Sequence, residues 1–327
     1  MSVEVAASSG SGADLAKSNL RSQLVGFGWA GLSVAIFSGW LVVTRFSVTH
    51  ELRIWDIIAL RFGGGALVLL PVLFGPSRRL SRQAWTEGLL FSALWGAPFV
   101  FLVALGLRLG SASEVASITP GLMPVFAGLL AWAVLREPPG SARLFGYGAI
   151  VGGVIVLVVG GTSSYGPPNL SGLAALILAA IMWAIYGLRF RRSSSTPMQA
   201  AALICFWSAA LYLPIYGFFG LSRLGSAGLL EIAFQAVYQG LLMGAFAVIT
   251  FNRAVTLLGP RAAAAIIALL PVVTTAMAVP ILGEVPTRLD GAAMVLIAAG
   301  VIFAARPAQT LKRSPARHRV PKTIGRW

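Results

Sequence analysis

The chain has 327 residues, of which 57% are hydrophobic and 11% charged, with a formal net charge of +15. An ordinary soluble domain carries about 25% charged residues to face water, so this composition excludes a soluble fold and points to hydrocarbon as the solvent. The positive charge does not indicate nucleic acid, because the Lys and Arg residues fall between and after apolar runs and not in one patch.

Residues 1–23 are rich in Ser, Gly and Ala and lack the basic-then-apolar layout of a cleaved signal peptide, so they are predicted to be a disordered cytoplasmic tail. A bilayer core of about 30 Å needs about 20 apolar residues per helix. On that rule the first spans are predicted at 24–44, 54–74, 88–107, 112–135 and 144–161. Gly166, Pro167 and Pro168 interrupt the long uncharged stretch that follows, since Gly and Pro punctuate helices. Five more spans are predicted at 170–188, 198–219, 232–252, 262–282 and 287–305. Residues 306–327 form a basic cytoplasmic tail, read first as a disordered topology signal and second as a segment suited to anionic lipid head groups.

Orientation follows from the basic residues. With the N-terminus inside, Lys17, Arg21, Arg82, Arg136, Arg143, Arg189, Arg191, Arg192, Arg253 and Arg261 join Arg78, Arg79 and the C-terminal tail on the inner side. The outer side holds only Arg45, Arg53, Arg108, Arg223 and Arg288. Both chain ends are therefore expected in the cytoplasm of a cell whose inner membrane the chain crosses many times.

The sequence repeats itself. Pro124, Val125, Glu137, Gly153, Val154 and Ile155 recur as Pro271, Val272, Glu284, Gly300, Val301 and Ile302, each at an offset of 147. Upstream, Trp40 and Pro71 recur as Trp183 and Pro214 at an offset of 143. Two copies (24–161 and 170–305) of five spans each follow. An odd number of spans makes the second copy enter from the opposite side, which is an inverted-topology repeat. The predicted fold class is thus all-α and membrane-integral, with ten transmembrane helices as two inverted five-helix repeats.

These motifs resemble the drug/metabolite transporter superfamily, and within it the ten-span EamA-type permeases. The resemblance rests on Pro124-Val125 through Glu137, on 146–158, on Pro271-Val272 through Glu284, on 291–303, and on Ala59-Leu60-Arg61-Phe62 in the second span. It implies an inner-membrane permease, usually an exporter of metabolites, amino acids or toxic compounds, with a central cavity between the repeats. Two positions depart from the pattern: Ile204 stands where the first half has Arg61, and Arg136 precedes Glu137 where Gly283 precedes Glu284.

Few residues can carry chemistry. His50, His318 and Cys205 are scattered, so no metal site is expected, and no phosphate loop, nucleophile elbow or dinucleotide motif is present. No cofactor and no catalytic residue is assigned, and ATP-driven transport by this chain alone has no basis; coupling to a proton or ion gradient and simple facilitated efflux both stay open. Glu114 lies near membrane depth, where an acid defaults to a functional role, yet Ser111-x-x-Glu114 also reads as a capping box. Arg61, inside span two, either pairs with Asp56 or meets an anionic group such as a substrate carboxylate. Glu137 and Glu284, which end spans four and nine, read as residues with a repeated loop or cap role. Trp40, Trp95, Phe99, Trp183, Tyr186 and Tyr238 suit the walls of a site for a semi-apolar organic ligand, with Gln239 and Asn252 as uncharged hydrogen-bonding groups. Trp55, Trp85 and Trp132 read as interfacial or lipid-facing. The expected partners are a small-molecule substrate and membrane lipids. A rival reading, a membrane enzyme acting on a lipid or isoprenoid, needs clustered acids or histidines that the sequence does not supply.

Overall fold

In a computed structural model, the residues described are 4–50, 52–75, 80–136, 138–161, 169–258 and 260–305. Among them the chain is helical throughout: α1 Glu4–Thr49, α2 Ile54–Phe74, α3 Arg82–Trp95, α4 Ala97–Leu109, α5 Ala112–Leu135 and α6 Ser141–Gly161. The second half continues with α7 Leu170–Phe190, α8 Pro197–Phe218, α9 Leu229–Gln235, a π-helical segment Ala236–Phe246, α10 Ala247–Leu258, α11 Pro260–Leu282 and α12 Arg288–Ala304. With α3–α4 and α9–α10 each acting as one crossing, these elements make ten spans in two five-span repeats. By length and composition eight of the helices can cross a membrane among the described residues, and Ile266–Leu282 adds a shorter apolar helix. Large side chains such as Leu67, Val159, Phe218 and Val295 lie exposed on the outside of the bundle, where only lipid makes their exposure favourable.

One sequence expectation is corrected at the start. Residues 4–23 are the first turns of α1 and not a loose tail. Propagating an existing helix is far easier than nucleating one, and the stretch from Glu4 to Gln23 has no proline to stop it. The C-terminal tail, Glu137 and the 162–168 linker lie outside the described residues.

Two spans are irregular. The third breaks at Gly96 between α3 and α4, with Pro98 in the first turn of α4. A Cβ at Gly96 would sit 2.2 Å from Ser208 Oγ and 2.3 Å from the Ser92 carbonyl, so only glycine fits. The Ser208 hydroxyl in turn accepts from the Ala97 N–H at 3.2 Å. The eighth span widens into a π-helical stretch whose Gly240 packs directly on Gly64 of α2, with 2.9 Å from a hypothetical Cβ to Gly64 Cα. Small residues let helix backbones touch in this way, and long π segments are rare and frequently sit at functional sites.

The repeat is visible as exchanged contacts between α6 and α12. A Cβ on Gly300 would lie 2.8 Å from the Gly146 carbonyl, and one on Gly153 would lie 3.0 Å from the Ala293 carbonyl. Gly153 and Gly300 are repeat mates, as are Gly146 and Ala293, so each contact is the other with the halves swapped. The mates α5 and α11 also end alike, on left-handed residues: Arg136 at φ 57° and Gly283 at φ 69°. That conformation is cheap for glycine and costly for arginine, which gives the departure at Arg136 a physical meaning.

Candidate functional site

The face on which α1 begins and α12 ends is here called the terminal face, and the opposite side the far face. A vestibule of about 470 Å³ opens toward the terminal face, between the later halves of α5 and α7, the start of α8, and α10 and α11. Its walls include Phe37, Met123, Trp183, Tyr186, Phe190 and Phe251, with Arg191 and Asn252 among its few polar groups. Above it, near mid-membrane, lies a smaller cavity of about 40 Å³ lined by Trp40, Arg61, Trp95, Phe99, Thr119 and Trp183, among others. Phe37, Trp95 and Trp183 line both.

The aromatic wall is one packed unit. Trp95 stacks on Tyr186 with centroids 5.0 Å apart and planes at 7°, and Tyr186 stacks on Phe190 at 5.8 Å. Trp183 closes against Trp95 and Phe99, at 6.1 Å in each case. Such contacts add about 0.5–1.5 kcal/mol per pair beyond simple burial, so the wall is preorganised and not loosely arranged.

Arg61 is the charged centre. It is only 7% exposed, and its guanidinium carbon lies 4.6 Å from the centroid of the Trp40 ring. Its Nη1 has no hydrogen-bond partner, and neither do the indole nitrogens of Trp40 and Trp95. The alternative of pairing with Asp56 is not realised: that carboxylate accepts from Tyr216 Oη at 2.6 Å, the Arg223 N–H at 2.9 Å and the Arg53 N–H at 2.8 Å. Asp56 thus caps α2 and ties it to the end of α8, leaving the arginine to the cavity.

The far side is closed. Arg45 Nε donates to Glu284 Oε1 at 2.9 Å, and the other Glu284 oxygen accepts from the Ala112 N–H at 2.8 Å. Arg45 also donates to the carbonyls of Leu107 and Arg108. One ion pair therefore joins the ends of α1, α4 and α11 to the start of α5. Beyond it, on the far face, a cavity of about 720 Å³ is lined by His50, Arg53, Trp55, Phe101, Arg108 and Arg223, among others.

The expected site residues divide. Trp40, Arg61, Trp95, Phe99 and Trp183 meet around the deep cavity, and Tyr186 and Asn252 line the vestibule. Glu114, Tyr238 and Gln239 line neither. Glu114 accepts from the Ser111 N–H at 2.8 Å while Ser111 Oγ accepts from the Glu114 N–H at 3.1 Å, the reciprocal cap of α5. Gln239 bonds Thr44 at 3.0 Å and Gln235 at 3.2 Å, and Gln235 bonds Ser47, which zips α1 to the eighth span. Tyr238 donates to the Ile36 carbonyl at 3.3 Å and lies across Gly39. Glu284 accepts from the Ala112 N–H at the start of α5, a helix of the other repeat. Sequence reasoning missed Phe37, Phe190 and Arg191. The first two stand one helical turn from Trp40 and Tyr186, a spacing that places them on the same faces.

The sequence pattern of the EamA-like transporter family matches residues 24–159 and 170–306. A curated relative, the aromatic amino acid exporter YddG of Ancylobacter novellus, is 26% identical over 201 residues, or 59% of this chain. That alignment spans 66% of the relative's own length, just short of two thirds. One solved crystal structure superposes with a TM-score of 0.58 at 20% identity, covering 87% of this chain and 96% of that one, a likeness of fold.

Proposed function

Because the chain belongs to the EamA-like transporter family and crosses the membrane many times, we propose that it exports a small organic molecule, such as a metabolite, amino acid or drug, by alternating access. One observation carries this reading: two adjacent aromatic-lined cavities share Phe37, Trp95 and Trp183, the larger one opens to the terminal face, and the Arg45–Glu284 pair ties helix ends together on the far side. The basic residues concentrate on the terminal side, which makes that side cytoplasmic and the open cavity a loading site facing the cell interior. The membrane in question is then the inner membrane, with both chain ends inside.

The site residues follow from the cavity. Trp40, Trp95, Phe99, Trp183 and Tyr186 hold the apolar body of the substrate, and Arg61 meets its polar end. The relative is named an aromatic amino acid exporter, and an aromatic ring is the part of such a molecule that these walls suit. Release then requires the Arg45–Glu284 pair to part and the terminal side to close behind the substrate. A protein that moves its ligand without changing it needs no catalytic group, which fits a carrier and not an enzyme. Proton coupling would need an acid facing the substrate path, and among the described lining residues of the two adjacent cavities there is none; facilitated efflux or exchange needs no such acid.

The test is flux in proteoliposomes. Vesicles loaded with a panel of radiolabelled aromatic and aliphatic metabolites should release at least one compound faster than empty vesicles, and Trp40→Ala should slow that release. A panel with no protein-dependent flux would remove the proposal.

A further inference from the structure

The polar groups of the cavity are of one kind. Arg61, Trp40 Nε1 and Trp95 Nε1 are all donors, all sit around the deep cavity, and each has a nitrogen without a partner. An arginine keeps its charge in a protein, and a buried charge is stable only when something opposite meets it. The Trp40 ring face offsets part of that cost, but it leaves the N–H groups of Nη1 without a partner. Among the described residues no Asp or Glu lines the deep cavity or the vestibule, whereas Arg191 adds a second cation at the mouth. Past the closed far side, the lining again carries Arg53, Arg108 and Arg223. The substrate path is therefore cationic at three levels.

Size points the same way. A water-sized group needs roughly 10–15 Å³ of such space, so the deep cavity of about 40 Å³ holds about three non-hydrogen atoms, as many as a carboxylate has. The vestibule of about 470 Å³ has room for a ring system between its aromatic walls.

We infer that the substrate is a net anion, an aromatic monocarboxylate whose carboxylate sits on Arg61 and the two indole N–H groups while its ring lies along Trp183, Tyr186 and Phe190. This rests on the reading of the cavity as the transport site, and it deepens it by naming the charge. A zwitterionic amino acid would bring an ammonium group whose desolvation the lining does not offset with a carboxylate. An anion also leaves a cell with a negative interior down the electrical gradient, so its efflux needs no coupling ion.

The experiment uses the full chain in detergent and four ligands that share one indole ring: indolepropionate (anion), tryptophan (zwitterion), tryptamine (cation) and tryptophol (neutral). Calorimetry should rank indolepropionate first, with affinity about tenfold above tryptophol, the gap expected of a charge-assisted hydrogen bond. Arg61→Gln should erase that gap. Trp40→Phe, which keeps an aromatic face and loses the indole N–H, gives a milder variant: indolepropionate should weaken about threefold and tryptophol less. Tryptophan or tryptamine binding as tightly as indolepropionate would overturn the inference, as would an unchanged gap in Arg61→Gln or no binding by any of the four. Such results leave the carrier reading standing, which falls only if the proteoliposome panel shows no flux.

Discussion

The two halves of the chain share a scaffold and differ at the site. Gly153 and Gly300 do the same work at the α6–α12 seam, each pressed against backbone of the opposite helix, and α5 and α11 stop on left-handed residues. By contrast Arg61 has Ile204 as its repeat mate, and only the arginine reaches the cavity. Ile204 is buried in packing at 4% exposure. Both halves supply the helix seam and one tryptophan each to the cavity wall, Trp40 and Trp183, whereas only the first half supplies the deep cavity's charge. A symmetric frame can therefore present an asymmetric site.

The largest effect should come from breaking what is shared. Gly300→Leu drives a side chain into the Gly146 carbonyl and Ile150 and should cost about 3 kcal/mol or more, read as loss of folded protein in thermal unfolding of the detergent-solubilised chain. Gly153→Leu should do the same, because the seam is built from both. If one of the two is tolerated, the two-fold equivalence of the seam is wrong.

Next comes what is unshared. Arg61→Ala should lower flux of the transported compound by about tenfold or more, in line with loss of a buried charge-assisted contact, while the amount of folded protein changes little. The paired change Ile204→Arg should not create a second site. It should destabilise the fold by about 3–5 kcal/mol, the scale for a buried charge without a partner.

A smaller effect is expected at the far-side closure. Arg45→Ala removes the partner of Glu284 and the bonds to two helix-end carbonyls. The pair is partly buried, so its loss should cost about 1 kcal/mol and let a thiol reagent added on the far side reach cysteines placed on the deep cavity. The smallest effect belongs to Arg136→Gly, which relieves a left-handed arginine and should stabilise by up to about 1 kcal/mol, detectable as a slight rise in melting temperature.

The sequence made the scaffold legible and the site only partly so. Apolar runs and the Pro-to-Glu-to-Gly spacing carry ten spans and their inversion, because hydrocarbon thickness sets span length and a repeat sets the pairing. Which way Arg61 points was not legible. Its rival partner Asp56 is five residues away, and what satisfies Asp56 lies across the fold at Tyr216 and Arg223. Phe37, Phe190 and Arg191 escaped notice for a related reason: a helix that faces lipid on one side and protein on the other is apolar all round, so periodicity does not reveal which face lines a cavity. The break at Gly96 has a local sign in Pro98 two residues on, whereas the π-helical stretch left none, since it depends on Gly64 packing against it. Glu114 is the opposite case. Its spacing from Ser111 announced the cap that the structure contains.

The claim on which the rest depends is that one cavity is reachable from one side at a time. Ala131 lies on the vestibule, and Cys205 is the chain's single cysteine and is buried. In right-side-out and inverted vesicles carrying Ala131→Cys in a Cys205→Ala background, a membrane-impermeant maleimide should label from the terminal face only, and a saturating transported ligand should slow the labelling. Equal labelling from both faces, or labelling from the far face alone, would contradict the account.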